Sequence, residues 1–387
     1  MGSQGNVMDK RIRLGMVGGG QGAFIGAVHR IAARLDDHYT LVAGALSSEP
    51  ARAKASALEI GIAEDRAYGS FAEMFDKEAA RPDRIDTVAI VTPNHMHFPV
   101  AKLALEKGFH VICDKPLTTT SDDAVVLSAL AKQTGLVFCV THNYTGYPLM
   151  RQARAMIAEG ALGDIRNVQV EYAQSWLAEP LEETGQKQAA WRTDPAQSGA
   201  GGCIGDIGTH ALNLAMFATG LKPKRLLADL QTFVPGRRLD DNVQILLRFD
   251  GGASGILWAS QIAIGNENAL RLRIYGSKGA LEWEQENPNV MWHTTSDGTR
   301  RRLTRGGPGA NEAAGRVTRI PGGHPEGYLE AFATIYSEAA RAIIAHNHSR
   351  APDPAVLYPT VDDGLIGVRF IEAAVHSSSA GNIWVDL

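Results

Sequence analysis

Short apolar runs alternate with stretches of helical periodicity over the first third of the chain. RIRLGMV (11–17), LVAGAL (41–46), IDTVAIV (85–91), FHVICDKP (109–116) and LVFCV (136–140) each read as a buried strand. Between them, FIGAVHRIAARL (24–35) and the stretch 121–132 carry apolar residues at helical spacing. Buried strands alternating with amphipathic helices predict a doubly wound α/β unit, a parallel sheet covered on both faces. Beyond about residue 144 the pattern changes. A helix over 148–159 precedes the alternating segment IRNVQVEYAQS (165–175), and a second helix covers 206–219. Five strand-like segments follow, RLLADLQTFV, NVQILLRFD, ASGILWASQIAI, LRLRIYG and ALEWEQ. Gly251-Gly252 and Ser277–Gly279 are hairpin signals between them, so this half reads as an α/β domain with a large, open, mostly antiparallel sheet. Helices over 327–345 and 362–377 and a short strand in NIWVDL close the chain. The Arg- and Gly-rich stretch 296–323 has no period and reads as a long loop. The division is then a flexible leader over 1–10, a dinucleotide-binding unit over 11–144, and a substrate-binding and oligomerisation unit over 145–387.

A length of 387 residues agrees with two domains. With 44% hydrophobic and 21% charged residues, the composition excludes wholesale disorder. The charge sum, 38 − 42 = −4, leaves no basic footprint for nucleic acid or an anionic membrane. No apolar run reaches the roughly 18 residues that a bilayer span needs. Cys113, Cys139 and Cys203 are too few and too scattered for a disulfide framework, which fits a reducing cytoplasm. The 41 glycines follow no Gly-X-Y period and concentrate at 18–22, 199–208 and 306–327. Those three clusters are where function is to be sought.

Gly18, Gly20, Gln21, Ala23 and Phe24 form a glycine-rich turn between the first strand and its helix. There the backbone can approach a pyrophosphate whose charge rests on the helix N-terminus. The second strand runs out at Ser47 and Ser48, with Arg52 one turn into the next helix. A carboxylate at this corner reads the free ribose 2′-hydroxyl of NAD, and a basic group accommodates the 2′-phosphate of NADP. The serines lean to NAD, and Arg52 leaves NADP open. Thr92, Pro93 and Asn94, with His97 beyond, follow the third strand at the ligand-bearing edge of an open sheet. The histidines here and the Cys139-x-x-His142 pair do not complete a tetrahedral set, so no metal is expected. Asp114 and Lys115 close the fourth strand, where an ammonium beside a substrate hydroxyl stabilises a developing alkoxide. In the second glycine cluster Asp206 and His210 stand four apart, on one face of a helix. A neutral imidazole there suits proton acceptance, and a carboxylate can orient it or bind substrate.

Taken together, the glycine turn, Thr92-Pro93-Asn94, Asp114-Lys115-Pro116 and Gly201-Gly202-x-x-x-Asp206-x-x-x-His210 resemble the Gfo/Idh/MocA family, the glucose–fructose oxidoreductase and inositol dehydrogenase relatives. The resemblance runs from about residue 11 to the end. It implies a Rossmann domain, a second α/β domain whose open sheet makes homodimer or homotetramer contacts, a nicotinamide cofactor, and a sugar or cyclitol substrate. By position it implies that Lys115 is the lysine of the family's Glu-Lys-Pro motif, Asp206 its substrate-side carboxylate and His210 its catalytic histidine. Three departures stand out: Asp114 replaces Glu, the glycine turn carries an insertion, and Ser47 stands where an acidic residue is common.

The expected reaction is hydride transfer between a secondary hydroxyl and the nicotinamide. His210 takes the proton, Lys115 steadies the alkoxide, and Asp206 orients His210 or the substrate. Asn94, Tyr144, Arg151, Trp191 and Arg192 are candidate sugar-binding groups, and His324 in the third glycine cluster is a further one. An alternative uses the same residues in a redox-neutral, NAD-dependent glycoside hydrolase: oxidation at C3, elimination, hydration and re-reduction. The arginines of 296–323 read first as a solvated loop, and only if they covered the site would they favour an anionic sugar such as a sulfoquinovoside. A non-catalytic sensing role is disfavoured by the presence of both Lys115 and His210.

Overall fold

The unbroken apolar runs become the five strands of a parallel sheet in the computed structural model, which describes residues 11–387. The leader expected over 1–10 lies outside the described residues. Strands β1 (Ile12–Gly18), β2 (Tyr39–Ala45), β3 (Thr87–Val91), β4 (His110–Cys113) and β5 (Phe138–Val140) lie in the order β2-β1-β3-β4-β5, all parallel. Helices α1 (Phe24–Leu35), α2 (Pro50–Glu59), α3 (Phe71–Ala79), α4 (His97–Glu106) and α5 (Ser121–Thr134) connect them. Local chemistry sets the helix ends. Pro50 opens α2, the Thr120 hydroxyl accepts from Asp123 N–H at the start of α5, and Gly135 ends that helix at φ +68°. The chain leaves β1 and β3 in opposite directions across the sheet, which opens a crevice between their C-terminal ends.

Helix α6 (Pro148–Ala158) leads into β6 (Ile165–Ala173), and the short α7 (Lys187–Arg192) and α8 (Pro195–Ser198) follow. The helix expected over 206–219 divides in two. A π-helical turn (Ile204–Gly208) precedes α9 (Thr209–Thr219), so Asp206 and His210 belong to different windings of one continuous coil. Such turns often occur at functional sites. Strands β7 (Pro223–Gln231), β8 (Asn242–Phe249), β9 (Ser254–Ser260), β10 (Ala269–Gly276), β11 (Gly279–Glu284), β12 (Val290–Thr295) and β13 (Arg300–Thr304) then build the second sheet with β6. Three helices, α10 (Glu312–Gly315), α11 (Tyr328–Asn347) and α12 (Val361–Ser379), precede the last strand β14 (Val385–Asp386). The sheet order is β13-β12-β11-β10-β6-β9-β8-β7-β14, with β6–β9 its parallel pair. Residues of β8 alternate between core and solvent, as a sheet with one covered face requires.

The stretch 296–323 is not a structureless loop. It contains edge strand β13, paired antiparallel to β12, and the short α10. Three consecutive arginines hid the strand because an edge strand carries charge where an inner one carries apolar residues. The C-terminal helices also cross the division at residue 144. Phe332, Ile335, Tyr336, Ala339 and Ile343 of α11 share a core with Leu14, Val28 and Ala32 of the first unit. The His29 ring meets the Tyr336 hydroxyl at 2.8 Å across that seam. Such helices reach both units, which fixes the sheet-edge loops against the π-helical turn.

Candidate active site

The loops after β1, β3 and β4 meet the π-helical turn around a cavity of about 1740 Å³. At one end is the glycine turn. A Cβ on Gly20 would lie 2.5 Å from the Leu46 carbonyl oxygen, so only glycine lets this turn close on the end of β2. Gly26, one turn into α1, packs on Gly19 so closely that a Cβ would come within 2.2 Å of its carbonyl oxygen. The insertion in the motif is thereby absorbed, and Gly26 supplies the close helix–strand packing of a third glycine. Ala23, at the N-cap of α1, offers no side chain to the first-turn N–H groups. The segment that carries those donors lines the cavity through Gly18, Gly20, Gln21, Ala23 and Phe24, a backbone surface suited to a pyrophosphate. Ser47, Ser48 and Arg52 line the same end, and Arg52 Nη2 donates to the Gln21 carbonyl at 2.9 Å, bracing the turn. The residues present fit a dinucleotide.

At the other end is a charged cluster. Lys115 Nζ lies 2.8 Å from Asp206 Oδ1 and also donates to the Asp206 carbonyl oxygen. Asp206 Oδ2 accepts from Arg192 Nε at 3.2 Å and Gln261 Nε2 at 2.9 Å. Burial alone would raise the Asp206 pKa, but the Lys115 and Arg192 charges outweigh it and hold the carboxyl below the usual range. Asp114 behaves alike: burial works upward, while the facing His29, the Thr141 hydroxyl and Lys115 bring it down. His210 lines the cavity nearby, with the Tyr144 ring edge-on at 4.8 Å and the His142 ring edge-on at 5.3 Å. Burial first, then the Lys115 charge and the neighbouring His142 ring, push its pKa well below that of free imidazole, so it is neutral near pH 7. Among the described residues no hydrogen bond reaches His210 Nδ1. Asp206 therefore does not orient His210; its oxygens are engaged by Lys115, Arg192 and Gln261. This departs from the i,i+4 expectation.

Thr92, Pro93, Asn94, Asp114, Tyr144, Trp191 and Arg192 also line the cavity. Tyr144 contributes a wall rather than a free hydroxyl, since its oxygen lies 2.5 Å from the Tyr172 hydroxyl and within 3.3 Å of Asn268 Nδ2. The Arg192 guanidinium stacks 4.2 Å from the Trp191 ring. Three expected residues do not reach the cavity. His97 is buried, with its ring nitrogens 2.8 Å from the Pro116 carbonyl and 3.0 Å from that of Thr92; it staples two loops from behind. Arg151 is buried against Glu338, donates to the Thr145 carbonyl at 2.7 Å and stacks on Phe217. His324 is exposed, and its carbonyl accepts from Arg305. The arginines of 296–323 do not cover the site either. Arg305 pairs with Glu326 at 3.0 Å, Arg316 with Glu338 at 2.6 Å and Arg319 with Asp36 at 2.5 Å, while Arg300 reaches Glu282 on the sheet edge. The alternative of an anionic sugar, which required these arginines over the site, loses its basis, because none lines the cavity and these four pair with acids elsewhere.

Other contributors escaped the sequence reading. Gln261 holds Asp206, while Asn268, Gln285 and Gln174 knit the tyrosine wall: Asn268 Oδ1 accepts from the Tyr172 hydroxyl and Gln174 Nε2, both at 2.7 Å. The available signal was a polar side chain immediately beside an apolar strand, at Ser260-Gln261 and Asn268-Ala269. Among the described residues no group of three or more His, Cys, Asp or Glu is placed to hold a metal.

Residues 12–142 match the family model described as "Oxidoreductase family, NAD-binding Rossmann fold", and residues 150–282 match the GFO/IDH/MocA C-terminal domain. The crystal structure of an oxidoreductase from Sinorhizobium meliloti is 54% identical, with TM-score 0.88, covering 97% of this chain and 99% of that one. An inositol dehydrogenase homologue from Azotobacter vinelandii, complexed with NADH and myo-inositol, is 37% identical, with TM-score 0.91 and 98% of each chain covered. Levoglucosan dehydrogenase from Pseudarthrobacter phenanthrenivorans is 27% identical over 98% of each chain. The chain carries an NAD-binding domain and is an oxidoreductase. The glycosidase alternative has no support in these comparisons.

Proposed function

The chain belongs to the Gfo/Idh/MocA oxidoreductase family, and we propose on that premise that it oxidises a secondary hydroxyl of a neutral sugar or cyclitol. The observation that carries this reading is the neutral, buried His210 beside the Lys115–Asp206–Arg192 cluster, in the cavity that the glycine turn also lines. The relatives complexed with myo-inositol or named for levoglucosan support a polyhydroxylated, uncharged substrate. So does the charge balance of the cavity wall, where Asp114 and Asp206 together offset Lys115 and Arg192.

The bound nicotinamide supplies the acceptor for the carbinol hydride. His210 takes the hydroxyl proton as the C–H bond breaks, so the carbinol loses a hydride to the nicotinamide and a proton to His210 and becomes a ketone. Lys115 donates to the oxygen as its negative charge grows. Asp206 holds Lys115 in line and, with Arg192 and Gln261, offers a polar edge to neighbouring hydroxyls. Trp191 presents an apolar ring face. Phe24, Ser47, Ser48, Arg52 and Thr92–Asn94 are the proposed cofactor contacts. The experiment is a panel of cyclitols and aldoses with NAD or NADP, followed by absorbance of the reduced nicotinamide. Turnover on none of them sinks the reading.

We further propose a homodimer or homotetramer assembled through the outer face of the nine-stranded sheet. Leu246 on β8 and Ile256 on β9 stand exposed on that face, 41% and 45% accessible. A cytoplasmic location agrees with three buried free cysteines and with the absence, among the described residues, of any helix long and apolar enough to cross a membrane. Sedimentation of the purified protein and fractionation of the producing cell test these two points.

A further inference from the structure

The connection between β7 and β8 ends in two adjacent buried carboxylates, Asp240 and Asp241. Asp240 meets the start of the π-helical turn with three acceptors. Its Oδ1 accepts from Gly202 N–H at 2.7 Å, its Oδ2 from Ile204 N–H at 2.8 Å, and its carbonyl from Cys203 N–H at 2.8 Å. Three consecutive amides that a helix start would leave unpaired are thus held from outside the helix. Contact is close enough that a Cβ on Gly202 would lie 2.4 Å from the Asp240 carbonyl oxygen. A second route leads from this connection to the Asp206 carboxylate on the turn. The Asp241 carbonyl accepts from Gln261 N–H at 2.9 Å, and the Gln261 side chain donates to Asp206 Oδ2. The Asp241 carboxylate in turn secures its own loop through Phe233 and Val234 N–H and through Arg237.

We infer that Asp240 is a positioning residue for the reaction. By clamping Gly202–Ile204 it fixes the height and rotation of the turn that carries Asp206, and through Asp206 the direction of Lys115. The inference rests on the catalytic roles proposed above for Lys115, Asp206 and His210, but its structural half is independent of them. Asp is required rather than Asn, because both side-chain oxygens face N–H donors. An amide would turn one acceptor into a donor pointing at a donor.

The same geometry makes the clamp responsive to acid. Burial, reinforced by the neighbouring Asp241, raises Asp240 to about 6, against the pull of the Gly202 and Ile204 amides. The other titratable or charged groups of this neighbourhood are the Cys203 thiol, Asp206, and Arg237 and Arg238; Arg237 pairs with Glu182 and Asp241, and Arg238 with Asp194. Protonation puts a hydroxyl on one of the two oxygens and leaves a single good acceptor for two amides.

The test compares the wild type with Asp240→Asn and Asp240→Ala by kcat–pH profile and by amide hydrogen exchange of 201–208. In the wild type kcat falls about tenfold between pH 8 and pH 5, with an inflection near 6. Asp240→Asn has kcat about tenfold or more below wild type at pH 8, an unchanged KM for NAD, and no inflection near 6. Exchange protection of 201–208 in the wild type drops through the same pH range to the level that Asp240→Asn shows throughout. If Asp240→Ala fails to fold, Asp240→Asn still carries both readouts. A wild-type pH profile in folded Asp240→Asn, or protection of 201–208 that depends on neither pH nor variant, overturns the inference. Should the wild type oxidise no polyol, the functional proposal fails while the exchange measurement still decides the role of Asp240.

Discussion

Replacing Lys115 by Met removes the ammonium while keeping a flexible stem of similar length. In the folded protein this group is 13% exposed, sits 2.8 Å from Asp206 Oδ1, and lies in the cavity with His210. It is therefore preorganised in a site of lower dielectric than water, and deleting one such donor to a developing oxyanion costs about 10²–10³ in rate, or about 2.7–4 kcal/mol. The loss to folding is smaller. Breaking a fully buried pair costs about 3–5 kcal/mol, but Asp206 keeps Arg192 and Gln261, so about 1–2 kcal/mol is expected here. A second consequence follows for pH. The Lys115 charge depresses both Asp206 and His210, so both rise in Lys115→Met and the acid limb of kcat/KM moves to higher pH. Steady-state kinetics on the best polyol, NAD titration by fluorescence and a thermal melt separate these effects. The expected pattern is kcat down at least a hundredfold, NAD affinity within threefold of wild type, and Tm lower by a few degrees. A folded Lys115→Met enzyme within threefold of wild-type kcat would refute the assigned role.

Three further outcomes are expected from the same structure. Gly20→Ala places a methyl 2.5 Å from the Leu46 carbonyl oxygen and 2.8 Å from Ser56 Oγ, so the turn must shift; NAD affinity is expected to drop about tenfold or more, with about 1–3 kcal/mol of stability lost, as read by titration and denaturant unfolding. Arg151→Met is expected to lower stability by about 1–3 kcal/mol and leave KM for the sugar unchanged, because Arg151 lies against Glu338 outside the cavity; a tenfold rise in KM would return it to the substrate site. For Asp36, burial works upward, but the hydrogen bonds from Arg319 and Ser337 and the Arg319 charge overcome it and lower the pKa. A depressed folded pKa gives stability that is complete above the unfolded value of about 3.9 and lost as pH falls through the folded one. Asp36→Asn should therefore lose about 1–3 kcal/mol at pH 7, and the gap to wild type should narrow below about pH 4 in unfolding curves taken across pH.

The first sheet was legible because its strands are apolar runs ended by turn formers, glycine after Val17 and Thr92-Pro93-Asn94 after Val91, so composition and position say the same thing. Lys115, Asp206 and His210 were legible for a related reason: polar groups stand beside apolar strand ends or glycine runs, where packing alone gives them no purpose. Arg151, His97 and the arginines of 296–323 misled because a sequence displays a charge or a ring and not its partner. Glu338, 187 positions beyond Arg151, gathers Arg151, Arg316 and Arg341 around one buried carboxylate. Asp36 and Arg319, 283 positions apart, meet only because α11 returns to the first core. Periodicity is a local property, and these pairings are decided by which helix crosses the division between the units.

The two candidate proton acceptors are separated by their surroundings, and that separation is the argument for His210 as the proposed base. Asp206 shares its oxygens among three donors and is held below the usual carboxylate range, so protonating it would break contacts that already exist. His210 has no such contacts to lose at Nδ1, yet burial and the Lys115 charge make it a weak base while the cavity holds no anion. An alkoxide forming beside Lys115 changes that balance. Its negative charge offsets the ammonium, and the pKa of His210 rises as the proton needs a destination. In the proposed mechanism Lys115 restrains the base before the reaction and releases it during the reaction, through one electrostatic coupling. A neutral hydroxyl is then favoured over a carboxylate at the same position, because a substrate already charged would raise His210 in the ground state and leave less to be gained at the transition state.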